Sequence, residues 1–182
     1  MVGLQPIIVN SDLNFGIEIN TEIPANVGQD RLINALAAYQ QYKTSLIIID
    51  CGTATTMDVV TAEGSFEGGV ICPGLLISAE VLFSRAAQLF QVNLEIPENL
   101  IGKNTTDSVK SGLIYGYGGM IVSLINKLAK EIVQMDQPYP TVVITGGLAN
   151  KLLPILPEVI FHDDLTLRGL YLFHLMNKPV EN

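Results

Sequence analysis

Hydrophobic and polar positions along the chain fall into three patterns. Residues 46–49 (Leu-Ile-Ile-Ile) and Val142-Val143-Ile144 within 141–145 are uninterrupted apolar runs, the pattern of strands covered on both faces. Residues 55–61 alternate instead, with Met57, Val59 and Val60 apolar, and after the turn Ala62-Glu63-Gly64 residues 66–71 run back as a second apolar segment, which predicts a β-hairpin. Three-to-four spacing predicts the helices. Leu32, Ile33, Leu36 and Tyr39 follow the opening Gly28-Gln29-Asp30-Arg31, and a helix over 75–87 carries Leu76, Ala79, Val81, Leu82 and Phe83 after the turn Cys72-Pro73-Gly74. The longest helix opens within 101–107 and runs to about Gln134 on Val109, Leu113, Tyr117, Ile121, Leu124, Leu128 and Ile132. A last one, 165–176, is read with Leu167, Leu170, Tyr171 and Leu175 inward. Before all of these lie an apolar run at 6–9, a polar loop Asn10-Ser11-Asp12 and an extended piece at 17–19, read as strands without partners. Residues 88–100, with Pro97, read as irregular.

With 182 residues, 48% of them hydrophobic and 15% charged, the chain reads as one compact globular domain. A net charge of −8 with no cluster of Lys or Arg argues against nucleic acid. No apolar run approaches the roughly 20 residues of a membrane helix, so no membrane association is expected and the cytoplasm is the expected location. Cys51 and Cys72 lack metal-ligand spacing and are expected as small hydrophobes on neighbouring strands. His162 precedes Asp163 and Asp164, a metal-like trio that suits a polar strand end better. Neither a Gly-x-x-x-x-Gly-Lys loop nor a Gly-x-Gly-x-x-Gly strand end occurs.

Chemistry gathers where the first apolar run ends. Asp50 puts a carboxylate at the mouth of a buried strand, a costly position unless a cation or hydrogen-bond donors meet it. Gly52 allows backbone to approach a ligand, and Thr53, Thr55 and Thr56 add hydroxyls suited to phosphate and a metal ion. The same residues also suit a strand ending in a turn, with Asp50 as turn former. Asp30 reads either as the N-cap of its helix or, beside Arg31 and Gly28, as part of a site for an anionic, hydroxyl-bearing substrate. Gly146-Gly147 is compatible with an ordinary tight turn and with a flat ligand lying on the backbone. Gly112, Gly116, Gly119 and Ser123 line one stripe of the longest helix, an expense in helix stability that close packing of another helix, from this chain or a partner, would return.

A strand-end Asp feeding a hairpin resembles the phosphate grip of the actin-like and sugar-kinase superfamily. The order Gly28-Gln29-Asp30-Arg31, residues 50–56, Gly102-Lys103-Asn104-Thr105, Tyr115-Gly116-Tyr117, Gly146-Gly147-Leu148 and Asp164-Leu165-Thr166-Leu167 with Gly169-Leu170 is similar to the type III pantothenate kinases from about Ile19 onward. The resemblance implies an α/β, actin-like (ribonuclease H-like) fold: a mixed sheet with a hairpin after the first core strand and flanking helices. Residues 1–45 would be a remnant of an N-terminal actin-like half and 46–182 the C-terminal half. It implies ATP-dependent phosphorylation of pantothenate to 4'-phosphopantothenate, the first step of coenzyme A biosynthesis, by a homodimer using Mg²⁺ and a monovalent cation, K⁺ or NH₄⁺. Carried over by position, Asp30 is the catalytic base, and Gly28, Gln29, Asp30, Arg31 and Thr105 bind pantothenate. Gly52, Thr53, Gly146 and Gly147 bind ATP, and Asp50 holds the cation. The family's opening Asp-x-Gly-Asn-Thr loop is not found, its frequent Tyr nine residues before the base is Thr21, and its usual Ala before the base is Gln29. The competing expectation is a non-catalytic relative serving as a binding or regulatory accessory protein.

Overall fold

A computed structural model describes residues 8–9, 13–86 and 89–178. Its strands are β1 (Glu18–Ile19), β2 (Leu46–Cys51), β3 (Ala54–Val60), β4 (Ser65–Pro73), β5 (Thr141–Thr145) and β6 (Ile160–Phe161). They form one mixed sheet in the order β1-β4-β3-β2-β5-β6. β2, β3 and β4 make an antiparallel meander, and β5 and β6 continue it in parallel on the other side of β2. β2 is central because Leu46 to Ile49 have no polar side to offer water, and each is at most 1% exposed.

Side chains alternate across a strand, so β2 feeds two cores. Leu46 and Ile48 join Val60, Phe66 and Val143 under α1 (Gln29–Tyr42) and α6 (Leu165–Met176). Ile47, Ile49 and Cys51 join Met57, Val59 and Ile144 under α2 (Leu75–Arg85), α4 (Tyr117–Gln134) and the short α5 (Ala149–Leu152). Between α1 and α6 there is little room for an exposed face: Leu32 through Ala38 are all buried, a broader seam than the four-residue stripe read from the sequence.

The longest helix is not uniform. α3 (Thr105–Ser111) passes into a π-helical stretch, Gly112–Gly116, and then into α4. The repeated four-residue steps 109, 113, 117 and 121 drift around a regular α-helix; a wider turn absorbs the drift and keeps Ile114, Tyr117 and Ile121 on the core.

Several expectations are corrected. The inward side of α6 is Leu165, Gly169 and Phe173, whereas Leu167 and Tyr171 are 69% and 64% exposed. Gly169 takes the inner position because a Cβ there would stand 2.2 Å from the Ile33 carbonyl oxygen of α1. The piece at 17–19 does have a partner: Glu18 and Ile19 pair in parallel with Ser65 and Phe66 of β4. Cys51 and Cys72 are two strands apart, with Thr55 of β3 opposite both, and both are free thiols. Within the run at 6–9, Ile8 and Val9 are in no strand, while residues 6 and 7, Asn10-Ser11-Asp12 and the end of the second helix at Ala87 lie outside the described residues.

Candidate active site

Helix α1 begins on Gly28, which is the N-cap, so Asp30 lies in the first turn and is not the cap. Its carboxylate is exposed and makes no hydrogen bond or ion pair among the described residues. Arg31 points inward, donating from Nε (2.8 Å) and Nη2 to Oδ1 of Asp58, a β3 carboxylate only 2% exposed. The guanidinium lies 5.5 Å over the Phe66 ring, and Thr56 donates to the other Asp58 oxygen at 3.4 Å. The guanidinium and the Thr56 hydroxyl thus hold a carboxylate charge that would otherwise be costly to bury, and the Phe66 face backs the guanidinium.

Asp50 ends β2 on the same face of the sheet. Its Oδ2 accepts from Asn34 Nδ2 at 2.9 Å, and Asn34 Oδ1 accepts from the Thr166 hydroxyl at 2.7 Å. Its Oδ1 faces the glycines. A Cβ on Gly146, whose φ of +97° few L side chains adopt, would lie 2.6 Å from that oxygen and 2.5 Å from the Cys51 nitrogen. Burial pushes the Asp50 carboxyl above the usual carboxylate range, the Asn34 bond draws it back, and the negative charge of Asp30 raises it again. The Asp58 carboxyl is raised for the same first reason, lowered by Arg31 and again raised by Asp30. Asp30 thus adds negative charge on the side of the sheet where Arg31 already neutralises Asp58 and Asn34 leaves Asp50 its full charge.

Just beyond Asp50 the β2–β3 turn opens on a cleft of about 480 Å³ lined by Gly52, Thr53, Gly147 and Leu148 with Leu76 and Ile77 of α2. Gly52, Thr53 and Gly147 line this cleft together, while Gly146 lies beside Asp50 Oδ1 and does not line it. Only one of the three hydroxyls reaches this cleft. Thr53 is exposed, but Thr55 is buried and accepts from the Tyr117 hydroxyl at 2.7 Å, and Thr56 turns to Asp58; the alternation of β3 divides them.

Thr105 is elsewhere within the protomer. It opens α3, continuous with α4 on the face opposite α1, and lines a separate cleft of about 630 Å³ with Gly102, Lys103 and Asn104. Gln29 is half-buried beside Asp30, and its Oε1 is buried without a partner among the described residues. Asn34, Asp58 and Thr166 were not singled out as site residues from the sequence. Asn34 was legible as a polar residue inside an apolar helical seam, and Asp58 as a charge interrupting an alternating strand. His162 meets the Tyr42 hydroxyl at 2.6 Å, and no group of three or more metal-ligating side chains occurs among the described residues.

The family model for type III pantothenate kinase matches residues 1–127. The type III pantothenate kinase of Syntrophotalea carbinolica is 41% identical over 180 residues, covering 97% of this chain and 68% of its own length. A crystal structure of a conserved Baf family transcriptional activator from Campylobacter jejuni superposes with a TM-score of 0.56 at 20% identity, over 88% of this chain and 68% of that one, a likeness of fold. With a family match over more than half its length and that degree of identity to a named member, the chain belongs to the type III pantothenate kinase family.

Proposed function

We propose that this chain phosphorylates pantothenate with ATP, giving 4'-phosphopantothenate, the first step of coenzyme A biosynthesis. The observation that carries the reading is geometric: α1, which opens with Asp30, ion-pairs through Arg31 to Asp58 of β3 and donates through Asn34 to Asp50 of β2, so one helix start and two neighbouring strands meet on one face of the sheet. In this reading Asp30 accepts the proton of the pantothenate hydroxyl as that oxygen attacks the terminal phosphorus of ATP, whose bond to the bridging oxygen breaks as ADP leaves. Gly28, Gln29 and Arg31 hold the acceptor, Arg31 through N–H groups not used on Asp58.

Gly52, Thr53 and Gly147 line the proposed ATP cleft, and Gly146 keeps the β5 end clear of Asp50. A half-buried carboxylate with one oxygen satisfied and the other turned to backbone glycines fits a K⁺ or NH₄⁺ ion. Such an ion, together with the Mg²⁺ that ATP carries, would offset charge on the phosphates.

The meander β2-β3-β4 continued by parallel β5 and β6 supports an actin-like, ribonuclease H-like half over 46–182, with 1–45 as the remnant of a second half. The exposed stripe Gly112, Gly116, Gly119 and Ser123 supports a homodimer packed along this helix, and Gly112 also lines the Thr105 cleft. No helix among the described residues is long and apolar enough to cross a membrane, and a cytoplasmic location is proposed with the soluble substrates.

The test is ADP release from the purified chain with ATP, Mg²⁺, K⁺ and pantothenate. Asp30→Asn should lower kcat by about 10²–10⁴-fold, the usual contribution of a general base, with its melting temperature unchanged. Retention of wild-type turnover excludes Asp30 as the base. Absence of ADP release from the wild type favours the accessory-protein reading.

A further inference from the structure

Among the buried and half-buried polar groups outside the proposed reacting atoms, one set forms a continuous chain across three elements. Thr166 in the first turn of α6 meets Asn34 in α1, and Asn34 meets Asp50 at the end of β2. Asn34 is 2% exposed, so neither end of its carboxamide can turn to water instead. Direction follows from valence. An ionised carboxylate only accepts, so the Asn34 N–H₂ group must face Asp50 and its carbonyl must face Thr166, whose hydroxyl then donates. Reversing the amide would set its carbonyl oxygen against the carboxylate.

We infer that Thr166 and Asn34 are positioning residues for Asp50: they fix its Oδ2 by a donated N–H and thereby present Oδ1, beside Gly52 and Gly146, to a monovalent cation. The inference rests on the reading of Asp50 as the cation-holding residue. The chemistry of the donor matters. A lysine or arginine in place of Asn34 would orient the carboxylate equally well but would neutralise it, whereas an amide leaves the full negative charge for the ion. Asp30 adds negative charge and no competing donor. Groups arranged in this way around a metal-binding carboxylate commonly alter ion affinity by about 10–100-fold when removed, although they never touch the ion.

The test is a cation titration read by thermal unfolding of the full chain, with KCl exchanged for choline chloride at constant ionic strength. The wild type should gain melting temperature with K⁺, and Asp50→Asn should show no gain. Thr166→Val keeps the shape of the side chain but removes the donor, and should raise the half-saturating K⁺ concentration by about 10-fold or more. Thr166→Ser restores the hydroxyl and should bring the midpoint back toward wild type. A role in packing alone would lower the melting temperature of Thr166→Val at every K⁺ concentration without moving the midpoint, and that result overturns the inference. If Thr166→Val does not fold, Thr166→Ala is titrated against Thr166→Ser, and equal midpoints for the two likewise overturn it. A wild type without K⁺ response, or an Asp50→Asn variant that keeps it, instead overturns the assignment of the ion to Asp50.

Discussion

Asp50 shows how one residue can be placed against its own solvation. Its carboxyl is raised by burial and by Asp30, so the group favours its neutral form in the folded chain more than in the unfolded one. For an acid shifted in this direction, the favourable contribution is full below the unfolded value, near pH 4, and is lost as pH rises through the folded value. In buffer free of K⁺, Asp50→Asn should therefore gain stability relative to wild type as pH rises above about 4, the gap widening until the folded-state carboxyl is ionised. Urea midpoints measured across that range check this, and parallel profiles for the two proteins would contradict it. The same residue was legible in sequence because a carboxylate ended an apolar run. Its partners were not, because Asn34 and Thr166 are 132 positions apart and meet only through the packing of α1 on α6.

At the scale of elements, the pairing of α1 with α6 positions much of the proposed site. It carries Asp30, Arg31 and Asn34 on one helix and Thr166 on the other, and it depends on Gly169 letting the Ile33 backbone approach. Gly169→Ala would drive a Cβ into that carbonyl and should cost about 1–3 kcal/mol, as overpacking of a tight contact does. For a chain of this size that corresponds to about 2–4 °C of melting temperature per kcal/mol, measurable by calorimetry. An unchanged melting temperature would mean the helices can separate freely. The sequence misassigned the inner side of α6 for the same reason. Periodicity groups Leu167, Leu170, Tyr171 and Leu175, all of them exposed, whereas the face that meets α1 is centred on the small Gly169 between Leu165 and Phe173.

For the whole molecule, the exposed glycine stripe separates folding from assembly. A Cβ on Gly116 would meet nothing within 4 Å, so Gly116→Leu should leave the protomer intact and improve helix propensity by up to about 1 kcal/mol. If copies of the chain pack along this helix, the same substitution should weaken self-association, measured by sedimentation velocity over a range of concentrations. A variant that associates as the wild type does would place the contact elsewhere. Local pattern by itself determined the hairpin, the two buried strands, most helix spans and the presence of acids at a strand end and a helix start, because period and capping chemistry act over a few residues. Tertiary structure alone decided which hydroxyl of 53–56 reaches the cleft, that Arg31 is held by Asp58, that Thr105 lines a cleft apart from Asp30, and that Asn34, the donor to Asp50, meets Thr166 of a helix near the other end of the chain. Those outcomes depend on which face of a strand meets which helix, a relation between distant segments that no short window of sequence contains.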